Sequence, residues 1–201
     1  MILIGYSGHA FVVYGIVKSM GKNVIGYCDA EEKSVNPFNL SYLGSEQSPI
    51  AIQALSESDF FIAIGDNNIR EKIAISLAAK NLFPATVIHA SAVIDESAII
   101  HPQGVMIAAN ATINPLVKIG NGVICNTNCS IDHECIIDDF AHIAPGAVLC
   151  GNVKIGSKTF VGANAVIKQG ISVGKNVMIG AGAVVVKDVP DNATVRGVPA
   201  K

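Results

Sequence analysis

The sequence predicts two parts: an α/β domain in residues 1–88 and a parallel β-helix in residues 89–201. The first half opens with a strand, a glycine-containing turn, an amphipathic segment and a second strand. The second half repeats an aliphatic residue every six positions from residue 107 to residue 185. Glycine is plentiful, at 19 residues, and aromatic residues are only 5%, which suits tight turns and small side chains.

The first 29 residues predict the beginning of the α/β domain. "MILIGY" has the composition of a buried strand, "SGHA" that of a turn, and "FVVYGIVKSMG" has apolar residues at helical spacing with Gly21 as a C-cap. "NVIGYCD" is a second strand that ends at Asp29, at the position where a ribose hydroxyl would bind. Gly5 and Gly8 at the turn would place backbone N–H groups and a helix N-terminus near a phosphate. This predicts a small Rossmann-like nucleotide-binding domain.

A tight turn without a ligand is the alternative interpretation. The glycine spacing is G-x-x-G, whereas the dinucleotide motif is G-x-G-x-x-G. Further along, "DFFIAIGD" is predicted as a strand, "NNIREKIAISLAAKN" as an amphipathic helix and "ATVIHA" as a last strand leading into the β-helix. Three or four parallel strands with helices would complete the domain.

The hexapeptide pattern predicts the β-helix. A helical period of 3.6 cannot keep a six-residue pattern in phase over this length, whereas stacked coils of a β-helix can. A second small or apolar residue lies two positions before each repeated aliphatic residue, so both are expected to point inward. The following position is often Gly, Ala, Asp or Asn, which suits a corner. Ile94 and Ile100 are out of phase by one residue, which predicts a bulge in residues 101–104.

Several classes of function are disfavoured by composition. Net charge is −2 and basic residues are scattered, which argues against a nucleic-acid partner. The chain has no apolar run long enough for a membrane span and no signal-peptide pattern, so we expect a cytoplasmic protein. The five cysteines form no CxxC motif, which argues against a disulfide framework or a zinc ribbon. Cys125, Cys129 and Cys135 are expected in the core, and Cys150 at a corner has no assigned role.

The chain resembles a family of bacterial enzymes. The segments "GYSGHA", "IAIGDN", "DHECIIDDFAHIAPGA" and "GVPAK" are similar to those of the hexapeptide-repeat sugar acetyltransferases of the NeuD/PglD-like family. The resemblance implies a left-handed β-helix, a homotrimer with active sites at subunit interfaces, and acetyl-CoA as co-substrate. It also implies transfer to the 4-amino group of a UDP-linked 4-amino-4,6-dideoxy sugar, as in the bacillosamine pathway of glycan biosynthesis. The residues implied to bind this substrate are Gly5, Ser7, Gly8, His9 and Asp29.

The two histidines of the central coils carry the expected chemistry. An ammonium group cannot attack a thioester, so a base must take its proton, and an imidazole suits that task near neutral pH. We assign this role to His133, with Glu134 as the carboxylate that orients it. His142 lies nine residues on, half a circuit of an eighteen-residue coil, so the two histidines are expected on different sides of one chain.

The resemblance also implies the acetyl-CoA site. His142 would donate to the thioester region, and the Gly151 N–H, one coil above His133, would face the developing oxyanion. Ala163 and Ala181 would leave a groove for the pantetheine arm.

Three other functions remain as alternatives. A sugar or sialic acid O-acetyltransferase would use the same base. A non-catalytic trimer would bind the nucleotide sugar without reacting. A carbonic anhydrase-like metal site needs three histidines, and the central coils hold only His133 and His142, so no metal is expected. A covalent acetyl-cysteine route is less favoured than direct attack, because the central cysteines have inward spacing.

Overall fold

The computed structural model describes residues 1–201, and it places an α/β domain against one face of a β-helix. The elements of the α/β domain are β1 (Ile2–Ile4), α1 (Gly8–Ser19), β2 (Gly26–Cys28), β3 (Ser41–Tyr42), α2 (Pro49–Glu57), β4 (Phe60–Ile62) and α3 (Asn67–Ala78). Its four strands form a parallel sheet in the order β3-β2-β1-β4.

Local signals explain where the helices begin. Ser48 caps α2 by accepting a hydrogen bond from the Ala51 N–H, and Pro49 occupies the first helical turn. Asp66 caps α3 by accepting from the Ile69 N–H. The Ser7 side chain makes no such bond at the start of α1. The N-terminal N–H groups of α1 are therefore not satisfied by a side-chain cap.

Two elements of this domain were not predicted, and one predicted strand belongs elsewhere. The short edge strand β3 and helix α2 fall in a segment where the sequence shows no clear period. The strand expected in "ATVIHA" forms, but it pairs with residues 106–107 of the β-helix instead of joining the α/β sheet. The β-helix therefore starts at Val87–Ile88, just before the predicted boundary after residue 88.

The β-helix consists of eighteen two-residue strands arranged in three parallel sheets of seven, six and five strands. We refer to these as the seven-, six- and five-stranded faces. The strands are β5 (Val87–Ile88), β6 (Val93–Ile94), β7 (Ile99–Ile100), β8 (Met106–Ile107), β9 (Thr112–Ile113), β10 (Lys118–Ile119), β11 (Ile124–Cys125), β12 (Ser130–Ile131), β13 (Ile136–Ile137), β14 (His142–Ile143), β15 (Val148–Leu149), β16 (Lys154–Ile155), β17 (Phe160–Val161), β18 (Val166–Ile167), β19 (Ser172–Val173), β20 (Met178–Ile179), β21 (Val184–Val185) and β22 (Thr194–Val195).

The strand register confirms the predicted bulge. Ile88 pairs with Ile107, nineteen residues on, whereas Ile107 pairs with Cys125, eighteen residues on. The extra residue lies in the segment 101–104, where Gly104 has a φ of 67°. The last coil is shorter, because Met178 pairs with Thr194 only sixteen residues on.

Both predicted inward positions are buried throughout the repeat, and they form one core of 28 residues. Cys125, Cys129 and Cys135 belong to this core, as expected. Thr159 is the one polar residue at an inward position, and its hydroxyl donates to the Gly174 carbonyl at 2.7 Å. The stacked coils thus bury a continuous aliphatic column.

The residues with left-handed backbone at the corners do not lie at the predicted position of the repeat, which was directly after each inward aliphatic residue. A residue with positive φ occurs every six residues from Asn110 to Gly182, three positions after each inward aliphatic residue instead of one. The glycines directly after the aliphatic residue are needed for space: a Cβ on Gly156 would lie 2.6 Å from the Gly174 backbone of the next coil. Close stacking of coils, and not left-handed backbone, therefore selects them.

The α/β domain packs on the seven-stranded face. Met106 and Ile124 point outward from this face into the same cluster as Leu3, Val13 and Tyr27. Phe140 joins a second cluster with residues of β4 and α3. Apolar residues of the α/β domain and of the β-helix therefore pack together in the same two clusters. The structure contains no helix with the length and apolar character of a membrane span.

Candidate active site

His133 lies at a corner of the β-helix, between the six- and five-stranded faces. Its side chain is 46% exposed, and its Nδ1 is 3.1 Å from Glu134 Oε2. The expected histidine–carboxylate pair is therefore formed. Asp132, which the sequence analysis did not single out, accepts a hydrogen bond from the His133 N–H at 2.8 Å and places its second oxygen 4.0 Å from Nε2. The imidazole lies between two carboxylates.

Gly151 lies one coil above His133, as the eighteen-residue repeat predicts. A Cβ on Gly151 would be 2.4 Å from His133 Cε1, so a side chain here would displace the imidazole. The residue does not have positive φ, which rules out the conformational explanation for this glycine. Its N–H donates to no acceptor within the chain. A free donor thus lies directly beside the imidazole.

His142 has a very different environment on the seven-stranded face, where it is only 6% exposed. Its Nδ1 is 3.3 Å from the Gly65 carbonyl, and its Nε2 is 3.2 Å from Asn126 Nδ2. These partners favour a proton on Nδ1 and a lone pair on Nε2. Burial, followed by the charge of Arg70, lowers the pKa of His142 to about 3. The side chain is therefore neutral at physiological pH.

His9 belongs to the same cluster as His142. The two ring centroids are 6.1 Å apart, and His9 Nε2 is buried without a hydrogen-bond partner in the chain. Burial, followed by the charge of Arg70, lowers the pKa of His9 to about 4. His9 was expected with the nucleotide-sugar residues, whereas the structure turns it toward the domain interface.

Arg70 on α3 is the main residue that the sequence analysis missed. It is 1% exposed, and its guanidinium donates to five oxygens. Two of these belong to the β-helix and three to the α/β domain: the acceptors are the carbonyls of Gly122, Phe140, Ile64 and Gly65 and the side chain of Asn67. Gly65 is also the partner of His142 Nδ1, so one carbonyl links the guanidinium to the imidazole.

The helical period contained a signal for Arg70. The buried residues of α3 are Asn67, Arg70, Ala74 and Leu77, which share one face at spacings of three and four. The same spacing in the sequence predicts that Arg70 lies on the buried face of the helix. A buried guanidinium needs several hydrogen-bond acceptors.

A cavity of about 500 Å³ lies between the start of α3 and the seven-stranded face. We call it the interdomain cleft. Asp66, Asn67 and Asn68 line one side, and His142, Lys158 and Phe160 line the other. Two contacts connect the two domains here: Asn67 Nδ2 donates to the Lys158 carbonyl at 2.9 Å, and Lys158 Nζ is 3.0 Å from Glu71 Oε2. Most of the residues that line the cleft are polar, and they come from both domains.

A second cavity of about 380 Å³ lies at the carboxyl edge of the α/β sheet, and we call it the sheet-edge pocket. Gly5, Ser7 and Asp29 line it, in agreement with their expected location, whereas Gly8 and His9 do not. Gly5 has a φ of 87°, and a Cβ there would lie 2.5 Å from Ile64 Cγ1. The N–H groups of Ser7 and Gly8 have no acceptor in the chain, so they remain free to bind an anion.

The remaining expected residues lie apart from His133. Ala163 and Ala181 stack at the corner between the seven- and six-stranded faces, where the Gly182 N–H donates to the Ala163 carbonyl at 2.8 Å. His133 and Gly151 occupy the next corner. One chain therefore does not bring all the expected acetyl-CoA residues together. No group of three or more His, Cys, Asp or Glu side chains is arranged to hold a metal ion.

Two family models match the chain. The model of the PglD N-terminal domain matches residues 1–77, and the model of the hexapeptide repeat of succinyl-transferase matches residues 152–187. A GDP-perosamine N-acetyltransferase from Escherichia coli O157:H7 is 35% identical over 109 residues, which are 54% of this chain. This match spans about half of that relative, 49% of its length.

Solved structures match the whole chain. One is a GDP-perosamine N-acetyltransferase from Caulobacter crescentus, a histidine-to-alanine variant in complex with CoA and GDP-perosamine. It has a TM-score of 0.92 and 33% identity over 100% of this chain and 94% of that one. The acetyltransferase domain of PglB from Neisseria gonorrhoeae has a TM-score of 0.91 and 34% identity over 100% and 97%. A second structure of that domain contains acetyl coenzyme A.

These matches cover both the Rossmann-like domain and the left-handed β-helix, and at more than 30% identity they extend beyond a shared fold. The chain therefore belongs to the hexapeptide-repeat sugar N-acetyltransferases of the PglD/PglB family.

Proposed function

We propose that this protein transfers an acetyl group from acetyl-CoA to the 4-amino group of a nucleotide-linked 4-amino-4,6-dideoxy sugar. The observation that carries the proposal is the His133–Glu134 pair beside the free Gly151 N–H. A base and an oxyanion donor are the two groups that aminolysis of a thioester requires. The relatives named above, which bind CoA, acetyl-CoA and GDP-perosamine, support the same reaction class.

The proposed step is direct attack. The sugar amine first loses its ammonium proton to solvent, and the neutral nitrogen then bonds to the thioester carbonyl carbon while His133 Nε2 accepts the second proton that the nitrogen loses. Glu134, hydrogen-bonded to Nδ1, stabilises the imidazolium that forms. The Gly151 N–H donates to the carbonyl oxygen as it becomes negative. When the carbon–sulfur bond breaks, the imidazolium returns the proton to the CoA thiolate, and the products are the amide and CoA thiol.

The substrate residues divide between the two cavities. Gly5, Ser7 and Asp29 would hold the nucleotide in the sheet-edge pocket, with the Gly8 N–H at the start of α1 directed to the diphosphate. The β4–α3 loop separates this pocket from the interdomain cleft, because Ile64 lines one and Gly65 lines the other. A sugar extending past this loop would approach His142, and His9 lies beside it.

The proposed site needs more than one copy of the chain. His133 and Gly151 lie at one corner, whereas His142 lies on the seven-stranded face and Ala163 and Ala181 at another corner. We propose a homotrimer in which the His133 corner of one protomer faces the interdomain cleft and alanine groove of its neighbour. His142 would there contact the thioester region, and the alanines would border the pantetheine arm.

The six-stranded face supports this assembly. Its outward residues form an in-register row without a charged side chain, whereas the five-stranded face carries two lysines. The row consists of Val93, Thr112, Ser130, Val148, Val166 and Val184. Light scattering is expected to give three times the chain mass, and a monomeric mass with full activity would contradict the shared site.

The test of the reaction is CoA thiol release with a panel of acceptors. The panel contains UDP-, GDP- and dTDP-linked 4-amino-6-deoxy sugars, their 4-hydroxy counterparts and free sialic acid. Turnover on a 4-amino sugar, with an amide in the product by mass spectrometry, is the expected result. Activity confined to hydroxyl acceptors would assign O-acetylation instead, and turnover on none of them would favour a nucleotide-sugar-binding trimer.

A further inference from the structure

The residues that line the sheet-edge pocket can select the base of a bound nucleotide. It combines an apolar wall with charged groups: Ile4, Ile64, Ile69 and Ile73 line it together with Asp29 and Glu46. A wall of aliphatic side chains suits the face of a planar base, and polar groups at the rim can read the base edge. The identity of the base therefore depends on which polar groups remain free.

The order of the strands in the sheet predicts where the diphosphate, the ribose and the base of a nucleotide would lie along the sheet edge. Along the carboxyl edge, the sheet runs β3-β2-β1-β4. The free N–H groups of Ser7 and Gly8 follow β1, Asp29 follows β2, and Glu46 lies in the loop after β3. With the diphosphate over β1 and the ribose at Asp29, the base lies toward Glu46. The sugar lies on the opposite side, over β4 and toward the interdomain cleft.

The two carboxylates of the pocket differ in free acceptor capacity. Asp29 already accepts from the Tyr6 N–H at 2.9 Å and the Ala30 N–H at 2.8 Å, and Lys33 Nζ is 3.1 Å away. Glu46 accepts only a long bond of 3.4 Å, from the adjacent Ser45 hydroxyl, and it forms no ion pair. Because a carboxylate offers about four lone-pair positions, Glu46 can accept two donors from a ligand.

We infer that Glu46 selects a guanine nucleotide. Guanine presents two adjacent donors, N1–H and the N2 amino group, which match the two oxygens of one carboxylate. Uracil and thymine present a single N3–H between two carbonyl oxygens, and those oxygens would be repelled by the negative charge. Bonds from neutral donors to a charged acceptor are stronger than neutral ones, so the pairing discriminates as well as binds.

This inference rests on the proposed function and refines it, because it replaces the UDP expected from the family resemblance with GDP. The GDP-perosamine bound by the Caulobacter crescentus relative agrees with it. The base is also the part of the ligand farthest from the proposed reacting atoms. The preference of the protein for one base can therefore be measured as a difference in nucleotide affinity, without acetyl transfer.

The experiment is calorimetric titration of the full-length protein with GDP, UDP and xanthosine diphosphate. The wild-type protein is expected to bind GDP roughly 10- to 100-fold more tightly than UDP. Glu46→Gln is expected to lose most of this GDP advantage and to gain affinity for xanthosine diphosphate. Xanthine carries an oxygen in place of the N2 amino group, and that oxygen can accept from the new amide. Glu96→Gln, on an exposed corner of the β-helix, is the matched control and should bind as the wild type does.

Equal or tighter binding of UDP by the wild-type protein would overturn the inference, as would a Glu46→Gln variant with an unchanged GDP-to-UDP ratio. Failure to bind any of the three nucleotides would overturn it too. The acceptor panel separates this failure from failure of the proposed function: transfer to a UDP-linked amino sugar would preserve the acetyltransferase and reject guanine selection alone.

Discussion

His133 and His142 are nine residues apart in one repeat, yet their surroundings are opposite. His133 is half-exposed at a corner, between the carboxylates of Asp132 and Glu134. His142 is buried on the face that the α/β domain covers, and the charge that acts on it most strongly is the guanidinium of Arg70. Burial beside a cation opposes protonation of the His142 imidazole and lowers its pKa to about 3.

This difference separates the two roles. A general base must hold a proton during the reaction, which the buried domain interface opposes at His142. A neutral histidine with a fixed tautomer can instead donate or accept one directed hydrogen bond. The exposed His133 therefore suits the role of base and the buried His142 that of a binding residue, and four measurements test this division of roles.

The largest expected effect is on the domain-interface side. Arg70→Met removes a buried guanidinium and its hydrogen bonds to five oxygens, of which only the Gly65 carbonyl keeps another partner, so we expect a loss of about 3 kcal/mol or more in the free energy of unfolding. Urea denaturation at fixed protomer concentration measures it. Arg196→Met, at an exposed arginine, is the control and should change stability little. Equal stability of the two variants would show that the guanidinium does not hold the domains together.

The next effect concerns the corner. His133→Ala should lower kcat at least about 100-fold, with KM changed little and the oligomer intact, because a proton acceptor is lost without altering the core. Steady-state kinetics of CoA release provide the measurement, together with light scattering. His101→Ala, at a corner of the first coil, serves as the matched variant and should retain activity. Near-wild-type turnover by His133→Ala would remove the proposed base.

The third measurement uses pH. Because the pKa of His142 is lowered to about 3, the unfolded chain takes up a proton near pH 6.5 that the folded chain does not, so stability falls as pH decreases. Through this histidine, the free energy of unfolding of the wild-type protein should fall by about 2 kcal/mol between pH 7 and pH 5. Because glutamine has no titrating group in this pH range, the His142→Gln variant should lose about 2 kcal/mol less free energy of unfolding over the same interval in urea denaturation. Parallel pH curves would mean that the histidine is not held neutral.

The smallest effect is expected for one carboxylate of the corner. Glu134→Gln should lower kcat roughly tenfold, because the charge that stabilises the imidazolium is lost while Asp132 remains near the ring. Glu96→Gln is a suitable control for the same chemical change at a distant corner. A kcat equal to that of the wild type would leave Glu134 as a surface residue that happens to contact His133.

Much of the fold could be predicted, because its signals are local. The six-residue period identified the inward positions of each coil, including Thr159 and the three core cysteines, and the phase shift at Ile100 located the bulge. The strand–turn–helix start placed Gly5, Ser7 and Asp29 at one sheet edge. Helix α2 and strand β3 were missed, since a nine-residue helix and a two-residue edge strand carry little periodicity.

The candidate site was predicted less completely. The pairing of His133 with Glu134 and the stacking of Gly151 followed from adjacency and from the eighteen-residue coil. The position of His9 beside His142 did not, and neither did the burial of Arg70, because these contacts depend on how the α/β domain docks.

The local sequence pattern is enough to identify which residues of each coil face inward and which surround the corner histidine, because both depend on neighbours along the chain or one coil away. The neutral histidine pair, the buried Arg70 and the free Glu46 carboxylate in the sheet-edge pocket depend instead on contacts between distant segments. Arg70 donates to carbonyls 52 and 70 residues away, and Asn67 to one 91 residues away. Docking of two separately patterned domains creates such contacts, and it sets the burial and charge that each side chain meets.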